Sequence, residues 1–280
     1  MKIRSFDAEK AILFLVATPI GNLKDITFRA IEVLNSVDKI YAEDTRTSGI
    51  LLSHYNIQTK LESYHEFNQD LKSNQILKEL QSGMRLAIIS DAGLPVISDP
   101  GYKLVLLAIE HNIAVSTIPG ASAGISALIA SGLAPMPYLF YGFLDSKAAK
   151  RNSELEDLKY QACTLIFYEA PHRIEHTLKD MLQILGNRKI TLARELTKTF
   201  EEYSRGTIEE ILLDLPQKGE MVLIVEGFKE EAQIEEPFKR IDELISLGYK
   251  PNEAIKEIAK LMQKSRSELY KAYIEYKNIK

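Results

Sequence analysis

RLAIISDAGLPVISDPG, residues 85–101, decides how this chain is read. Leu86, Ala87, Ile88 and Ile89 form a short apolar run with no polar alternation. Such a run suits a strand buried on both faces. It ends at Ser90 and Asp91, and two Gly and two Pro follow, with Asp99 among them. Open α/β sheets form ligand sites in loops of this kind, at the carboxyl ends of their strands. Taken alone, Gly93, Pro95, Pro100 and Gly101 are read equally well as ordinary turn residues. The neighbouring loops must choose between the two readings.

Working outward, the pattern repeats. Ile12–Val16 is a strand that ends at Ala17-Thr18-Pro19-Ile20-Gly21-Asn22-Leu23, and Asp25 or Thr27 then caps a helix striped with Phe28, Ala30, Ile31 and Leu34. Lys39–Ala42 is a strand ending at Glu43-Asp44-Thr45-Arg46, before a helix at 48–54 and an alternating stretch at 60–64. Helices are expected at 70–81, stopped by Gly83, and at 102–111, with a strand at 114–118. Strand and helix alternate, so the first half reads as an α/β layer on a largely parallel sheet.

The second half opens on the small residues Pro119–Gly124. Strands are expected at 138–143, 164–168, 189–193 and 221–225, with helices ending near Tyr160, running from Glu169-Ala170-Pro171 to Gly186, and at 208–213. Glu230, Glu231, Glu235 and Glu236 make an acidic linker. Beyond it, three short amphipathic helices resemble a helix-turn-helix or, equally, a helical cap. Their signals are the Phe238, Ile241, Leu244, Ile245 stripe, Pro251 at a helix start, and a capping box at Ser265–Glu268. The expected fold class is therefore α/β, with two α/β domains at 1–118 and 119–230 and a small helical extension at 237–280.

Composition narrows the function. With one Cys among 280 residues, no internal disulfide exists, which points to a reducing compartment. The apolar run Ala11–Ala17 is too short to cross a membrane, and Asp7, Glu9 and Lys10 before it are not the basic flank of a signal peptide. A cytoplasmic protein without membrane contact is expected. The net charge of −4 argues against nucleic acid, yet residues 237–280 carry +4 and the remainder −8. A basic tail on an acidic body binds phosphate locally.

Several signatures are missing or weak. There is no P-loop and no G-x-G-x-x-G. Cys163 precedes an apolar strand and reads as a core residue. His172-Arg173-Ile174-Glu175-His176 matches H-x-x-E-H, which on a helix would turn both His to one face as zinc ligands. No third ligand stands out, so the alternative is that His172 and Arg173 line a cleft. What remains is a set of strand-end loops: 18–23, 43–46, 90–101, 119–124, 168–173 and 194–198. Together they read as a cleft between two α/β layers, sized for a nucleoside-like cofactor.

The stretches FLVATPIGNLKDIT, AEDTRTSGILL, ISDAGLPVISDPGY, IPGASAGISAL, YGFLDSK, LIFYEAPHR, ARELTKTFEE and GEMVLIVEG occur in one order along nearly the whole chain. In that order they resemble the bacterial 16S ribosomal RNA (cytidine-2′-O)-methyltransferases of the tetrapyrrole methylase superfamily. The resemblance implies S-adenosyl-L-methionine as methyl donor, bound between two α/β domains. It also implies a homodimer, and as substrate cytidine 1402 in the decoding region of 16S rRNA or the small ribosomal subunit. The donor-binding positions it carries over are Thr18, Pro19, Gly21, Asp91, Gly93, Pro95, Ser122, Ala123, Tyr168 and Leu196. Leu94 stands where the family usually has Thr, Ser98 where Asn is common, and Ala121 and Asp145 where Pro is usual. A small-molecule, tetrapyrrole-like methyltransferase shares the fold, but AEDTR, ARELTK and the basic tail favour RNA. An RNA-binding module without catalysis is a third reading.

Methyl transfer to a ribose hydroxyl needs the donor and acceptor aligned and a group to take the hydroxyl proton. Lys198 is the first catalytic candidate, either orienting the hydroxyl or acting as base if desolvation lowers its pKa. Asp44 and Glu195 are rival bases, and Arg46 is a phosphate anchor. The alternative for all four is an ion-pair network that shapes the cleft. Lys147, Lys150, Arg151 and the tail lysines either meet RNA backbone or form a solvated face.

Overall fold

The computed structural model describes residues 11–216, 218–229, 236–262 and 265–279. The chain divides into two units, residues 1–227 and 228–280.

The first unit contains two sheets. Strands β1 (Ile12–Val16), β2 (Lys39–Ala42), β3 (Leu61–Ser63), β4 (Arg85–Ile89) and β5 (Ala114–Ile118) form the first, in the order β3-β2-β4-β1-β5. Every pairing in it is parallel. Burial on both faces explains the unbroken apolar runs. Phe14, Val16, Ile40, Ala87 and Ile89 pack on one side against Ala30, Val33 and Leu34 of α1 (Phe28–Ser36). Leu13, Tyr41, Leu86 and Ile88 pack on the other against α3 (Gln69–Gln81) and α4 (Tyr102–Glu110). Each such Leu or Ile contributes about 1.5–3 kcal/mol through burial. Thr27 caps α1, its hydroxyl accepting from Ala30 N at 3.1 Å, so the capping role falls to Thr27 and not Asp25. Helix α2 (Thr45–His54) starts three residues earlier than the sequence suggested, because Asp44 serves as its N-cap.

Helix α5 (Ala123–Ser131) leads into the second sheet. Its strands are β6 (Tyr138–Phe143), β7 (Thr164–Glu169), β8 (Lys189–Arg194), β9 (Glu202–Thr207) and β10 (Met221–Val225), ordered β6-β7-β10-β8-β9. Only β6 and β7 are parallel; β10 runs antiparallel to both β7 and β8, and β9 antiparallel to β8. Strand β9 has no counterpart in the sequence reading. Helices α6 (Ala148–Leu158), α7 (Ile174–Leu185) and α8 (Ile208–Leu212) cover one face. The opposite face, through Ile166, Ala193, Val222 and Ile224, packs on α5 and on Ile20 from the loop after β1. Cys163 packs against the core under the helices, as a core residue should.

Two expectations need correction. Helix α7 does not start at Glu169-Ala170-Pro171: Glu169 ends β7, Pro171–Arg173 form a turn, and the helix begins at Ile174 with Arg173 as its N-cap. His172 therefore lies outside the helix, both His172 and His176 face solvent, and the H-x-x-E-H spacing no longer aligns them. Among the described residues no group of three His, Cys, Asp or Glu is placed to hold a metal. No described helix is long and apolar enough to cross a membrane.

In the second unit, α9 (Pro237–Ser246), α10 (Pro251–Leu261) and α11 (Arg266–Ile279) enclose their own small core of Ile241, Ile255, Ile258, Leu269 and Tyr273. The Ser265 hydroxyl lies 2.7 Å from that of Ser267 at the start of α11. Glu230, Glu231 and Glu235 of the acidic linker lie outside the described residues.

Candidate active site

Parallel pairing of β1 with β4 sets the loops after these strands side by side. Thr18 and Gly93 lock them together: Thr18 N donates to Gly93 O at 2.9 Å and Gly93 N to Thr18 O at 3.1 Å. The buried Thr18 hydroxyl donates to Ser90 O at 3.1 Å. The β4 loop then turns through Val96 at φ +79°, a conformation that β-branched residues rarely adopt. Such strain persists only where surrounding structure enforces it, and it concentrates at ligand sites.

These loops face the second sheet across a cleft of about 600 Å³, within the roughly 300–1,000 Å³ of small-molecule sites. Asp91, Gly93, Ser122, Ala123, Tyr168 and Leu196 line it. Thr18, Pro19, Gly21 and Pro95 do not line it. Thr18, Pro19 and Pro95 are buried in the supporting loops, and Gly21 adjoins Lys198. Leu94 and Ser98, the two departures in this loop, are on the wall. The sequence reading missed Ile97, Asp99, Phe140, Phe143, Glu169 and Glu220, which are there too. Asp99 and Glu220 lie inside the quoted ISDAGLPVISDPGY and GEMVLIVEG stretches, so their motifs were visible while their direction was not.

Burial raises the carboxyl pKa values of Asp99 and Asp91, and each also feels a neighbouring carboxylate. Glu43 is raised likewise, by burial and then by Asp99 and Asp91. One side of the cleft is thus acidic. Its other walls are mainly apolar and aromatic, apart from Glu169 and Glu220, with Tyr168 fixed by a hydrogen bond of 3.2 Å from Gly124 N to its hydroxyl.

Lys198 is held between two carboxylates, its Nζ 3.0 Å from Glu195 Oε1 and 3.1 Å from Glu220 Oε2. The backbone is bent to achieve this. Glu195 and Thr197 sit at φ +51° and +66°. Glu195 Oε1 also accepts from Glu220 N at 3.0 Å. Gly219 makes room, because a Cβ there would lie 2.7 Å from Glu195 Cγ. Gly21 does the same from the first half, where a Cβ would lie 2.7 Å from Lys198 Cγ. Burial alone would push the Lys198 pKa down, but the hydrogen bonds it donates to Glu195 and Glu220 outweigh that and hold the pKa above its ordinary value. The idea of a Lys198 made basic by desolvation is corrected accordingly: it is a cation. The Glu220 N–H and Lys198 hold Glu195 below the usual carboxylate range.

Asp44 and Arg46 grip each other. Arg46 Nη2 donates to Asp44 Oδ2 at 2.8 Å and Nε to Oδ1 at 3.1 Å. Arg46 pulls the Asp44 pKa down to about 2, which makes it a weak base. Asp44 N in turn donates to Asp91 Oδ1 at 3.3 Å, joining this pair to the β4 loop. Arg151 is also corrected: it is buried, ion-paired to Asp180 at 2.7 Å, and so is not a phosphate contact. Lys150 pairs with Asp145 at 3.2 Å, and Lys147 is exposed.

Two unlike sheets with a strand-end cleft between them define a methylase of the tetrapyrrole class. Residues 13–212 match the family of tetrapyrrole (corrin/porphyrin) methylases. The fold resembles uroporphyrin-III-C-methyltransferase from Thermus thermophilus, with a TM-score of 0.56 at 17% identity over 78% of this chain and 94% of that one. It also resembles diphthine synthase, with a TM-score of 0.59 at 11% identity over 77% and 89%. Ribosomal RNA small subunit methyltransferase I of Streptococcus pyogenes serotype M1 is 50% identical over 96% of this chain and 98% of its own. The protein of that name from Bacillus subtilis (strain 168) is 46% identical over 95% of each. The chain belongs to this family of methyltransferases, the ribosomal RNA small subunit methyltransferase I group of the tetrapyrrole methylases.

Proposed function

We propose that the protein methylates the ribose 2′-hydroxyl of a cytidine in the decoding region of 16S rRNA, with S-adenosylmethionine as donor. The observation that carries this reading is the Glu195–Lys198–Glu220 clamp, whose Glu220 and neighbouring Leu196 line the cleft. Likeness to relatives named for small-subunit ribosomal RNA supports the choice of substrate.

The cleft fits the donor by its chemistry. Asp91 and Asp99 offer carboxylates to a cationic ligand, and the aromatic and aliphatic walls suit a nucleoside. S-adenosylmethionine supplies a methyl group on a positively charged sulfur, which an aligned oxygen displaces in line. Lys198, charged at neutral pH, orients the ribose oxygen and stabilises the negative charge that develops there. Glu220, on Lys198 Nζ and on the cleft wall, is the group to receive the hydroxyl proton in this reading, and Glu195 anchors the lysine. Asp44 and Arg46 order the entrance beside Asp91. The stretches 1–118 and 119–230 supply the two walls in this reading, and 237–280 an added RNA contact.

A homodimer accompanies this proposal. Tyr102, Leu106 and Ile109 along α4 are 65%, 40% and 56% exposed, an apolar stripe suited to a second copy. A cytoplasmic location follows from the substrate.

The test is transfer of labelled methyl to small subunits from cells lacking the gene. Label in RNA, mapped to one cytidine ribose, is the expected outcome. Label on a base, or no transfer to RNA while a tetrapyrrole-like acceptor is methylated, would refute the proposal.

A further inference from the structure

We propose that Phe143, with Tyr138 beside it, is the stacking platform for the nucleobase of the methyl acceptor. This rests on the RNA-methylating reading above and deepens it.

The argument starts from a register break in β6. Side chains alternate along a regular strand, so residues 138 and 140 face one way and residues 139, 141 and 143 the other. Leu139 and Tyr141 do pack against the core under α6 and α7, while Phe140 packs on the opposite face. The pairing of β6 with β7 then slips between Phe140 and Gly142. Gly142 takes φ +84°, a conformation that glycine adopts without penalty. The extra residue reverses the alternation, as a bulge does when it re-aims a side chain. Phe143 thereby returns to the face of Phe140, and Leu144 enters the core. Tyr138, Phe140 and Phe143 all line the cleft in consequence.

Phe143 is held but not covered. Its ring meets that of Tyr168 at 5.5 Å and 63°, and Phe140 meets the same ring at 5.1 Å and 73°. Even so, Phe143 is 56% and Tyr138 44% exposed. A fixed aromatic ring that opens into a concave site offers its π-face to a flat partner.

The surroundings select which partner. Strand β6 is an edge of its sheet, so the platform is open along one side. It runs directly into exposed Lys147 and Lys150. S-adenosylmethionine carries no phosphate for these ammonium groups, whereas an acceptor nucleotide within RNA has one on each side. Aromatic faces next to cations are the general pattern of single-strand binding, and enzymes acting on one nucleotide draw it out of its stack.

The experiment compares wild type with Phe143→Leu, Phe143→Ala and Phe143→Trp. It measures kcat and KM for methylation of small subunits, and donor affinity separately by calorimetry. Leu keeps apolar bulk without a π-face, so a purely structural role is satisfied by it. The Leu and Ala variants are expected to lose kcat/KM for RNA on the order of ten- to a hundredfold, with Trp within about threefold of wild type and donor affinity within about twofold throughout. A Leu variant as active as wild type overturns the platform alone. Donor affinity falling in step with activity overturns it too, since the ring would then be a donor wall. A wild-type enzyme inert on RNA overturns the parent reading instead.

Discussion

At the scale of single residues, the role proposed for Lys198 depends on its charge state. Glu195 and Glu220 raise its pKa above 10.5, so the group stays protonated through neutral pH and well into the alkaline range. Titration of this lysine should therefore leave no inflection in kcat between about pH 7 and 9. Lys198→Ala should lower turnover by about 10²–10³, the typical effect of removing one donor to a developing oxyanion, while leaving donor affinity near that of wild type. Methylation kinetics beside calorimetry check this, and near-normal turnover in the variant would exclude the role. Lys198 and Glu195 were legible because they share one turn of sequence. Glu220 was not, since the fold alone brings it 3.1 Å from Lys198 across 22 positions of chain. Phe143 was equally hidden, because its direction depends on a bulge that simple alternation does not announce.

Among the elements, β3 shows how little backbone an edge strand needs when its side chains hold it. It has three residues, and its centre, Glu62, meets three ammonium groups: Lys39 at 3.1 Å, Lys60 at 2.9 Å and Lys72 at 3.0 Å. These tie the strand to β2 and α3, and they pull the Glu62 pKa down to about 2. A depressed carboxyl pKa gives stability that is present above the unfolded value near 4.3 and disappears as pH falls through 2. Glu62→Gln should cost about 1–2 kcal/mol at pH 7, discounted for partial exposure, and nothing near pH 2. Urea midpoints across pH measure the difference, and a cost independent of pH would contradict the ionic origin. Strands β1, β2 and β4 were legible because burial on both faces leaves plain apolar runs. Strand β9 was not: its residues Glu202-Tyr203-Ser204-Arg205-Gly206-Thr207 are polar and half-exposed, as suits an edge. The antiparallel turn of β10 left no local mark, because strand direction is set by connections rather than by composition.

Considered as a whole molecule, charge is unevenly spread along the chain. Residues 237–280 carry +4 on a chain of net −4, and Lys256, Lys260 and Lys271 are exposed on α10 and α11. If this unit grips RNA, changing these three lysines to alanine should weaken binding for every sequence alike. It should also flatten the plot of log affinity against log salt by about 2–3 units of slope. Filter binding across salt concentrations decides it, and an unchanged slope would assign these lysines to a solvated face. The two-layer plan and the charged tail were both readable from the sequence. The mixed direction of the second sheet was not.

The position of β1 bears on how the chain is made. Its neighbours are β4 and β5, so β1 lies between partners that begin some 70 and 100 positions later in the chain. At about 5–20 residues per second, Ile12–Val16 waits on the order of 5–20 s before both flanks exist. During that interval an uncharged apolar strand without proline is solvent-accessible, which is the profile of a segment that associates with its like. Nascent chains stalled before residue 114 should therefore be the species most dependent on chaperone cover.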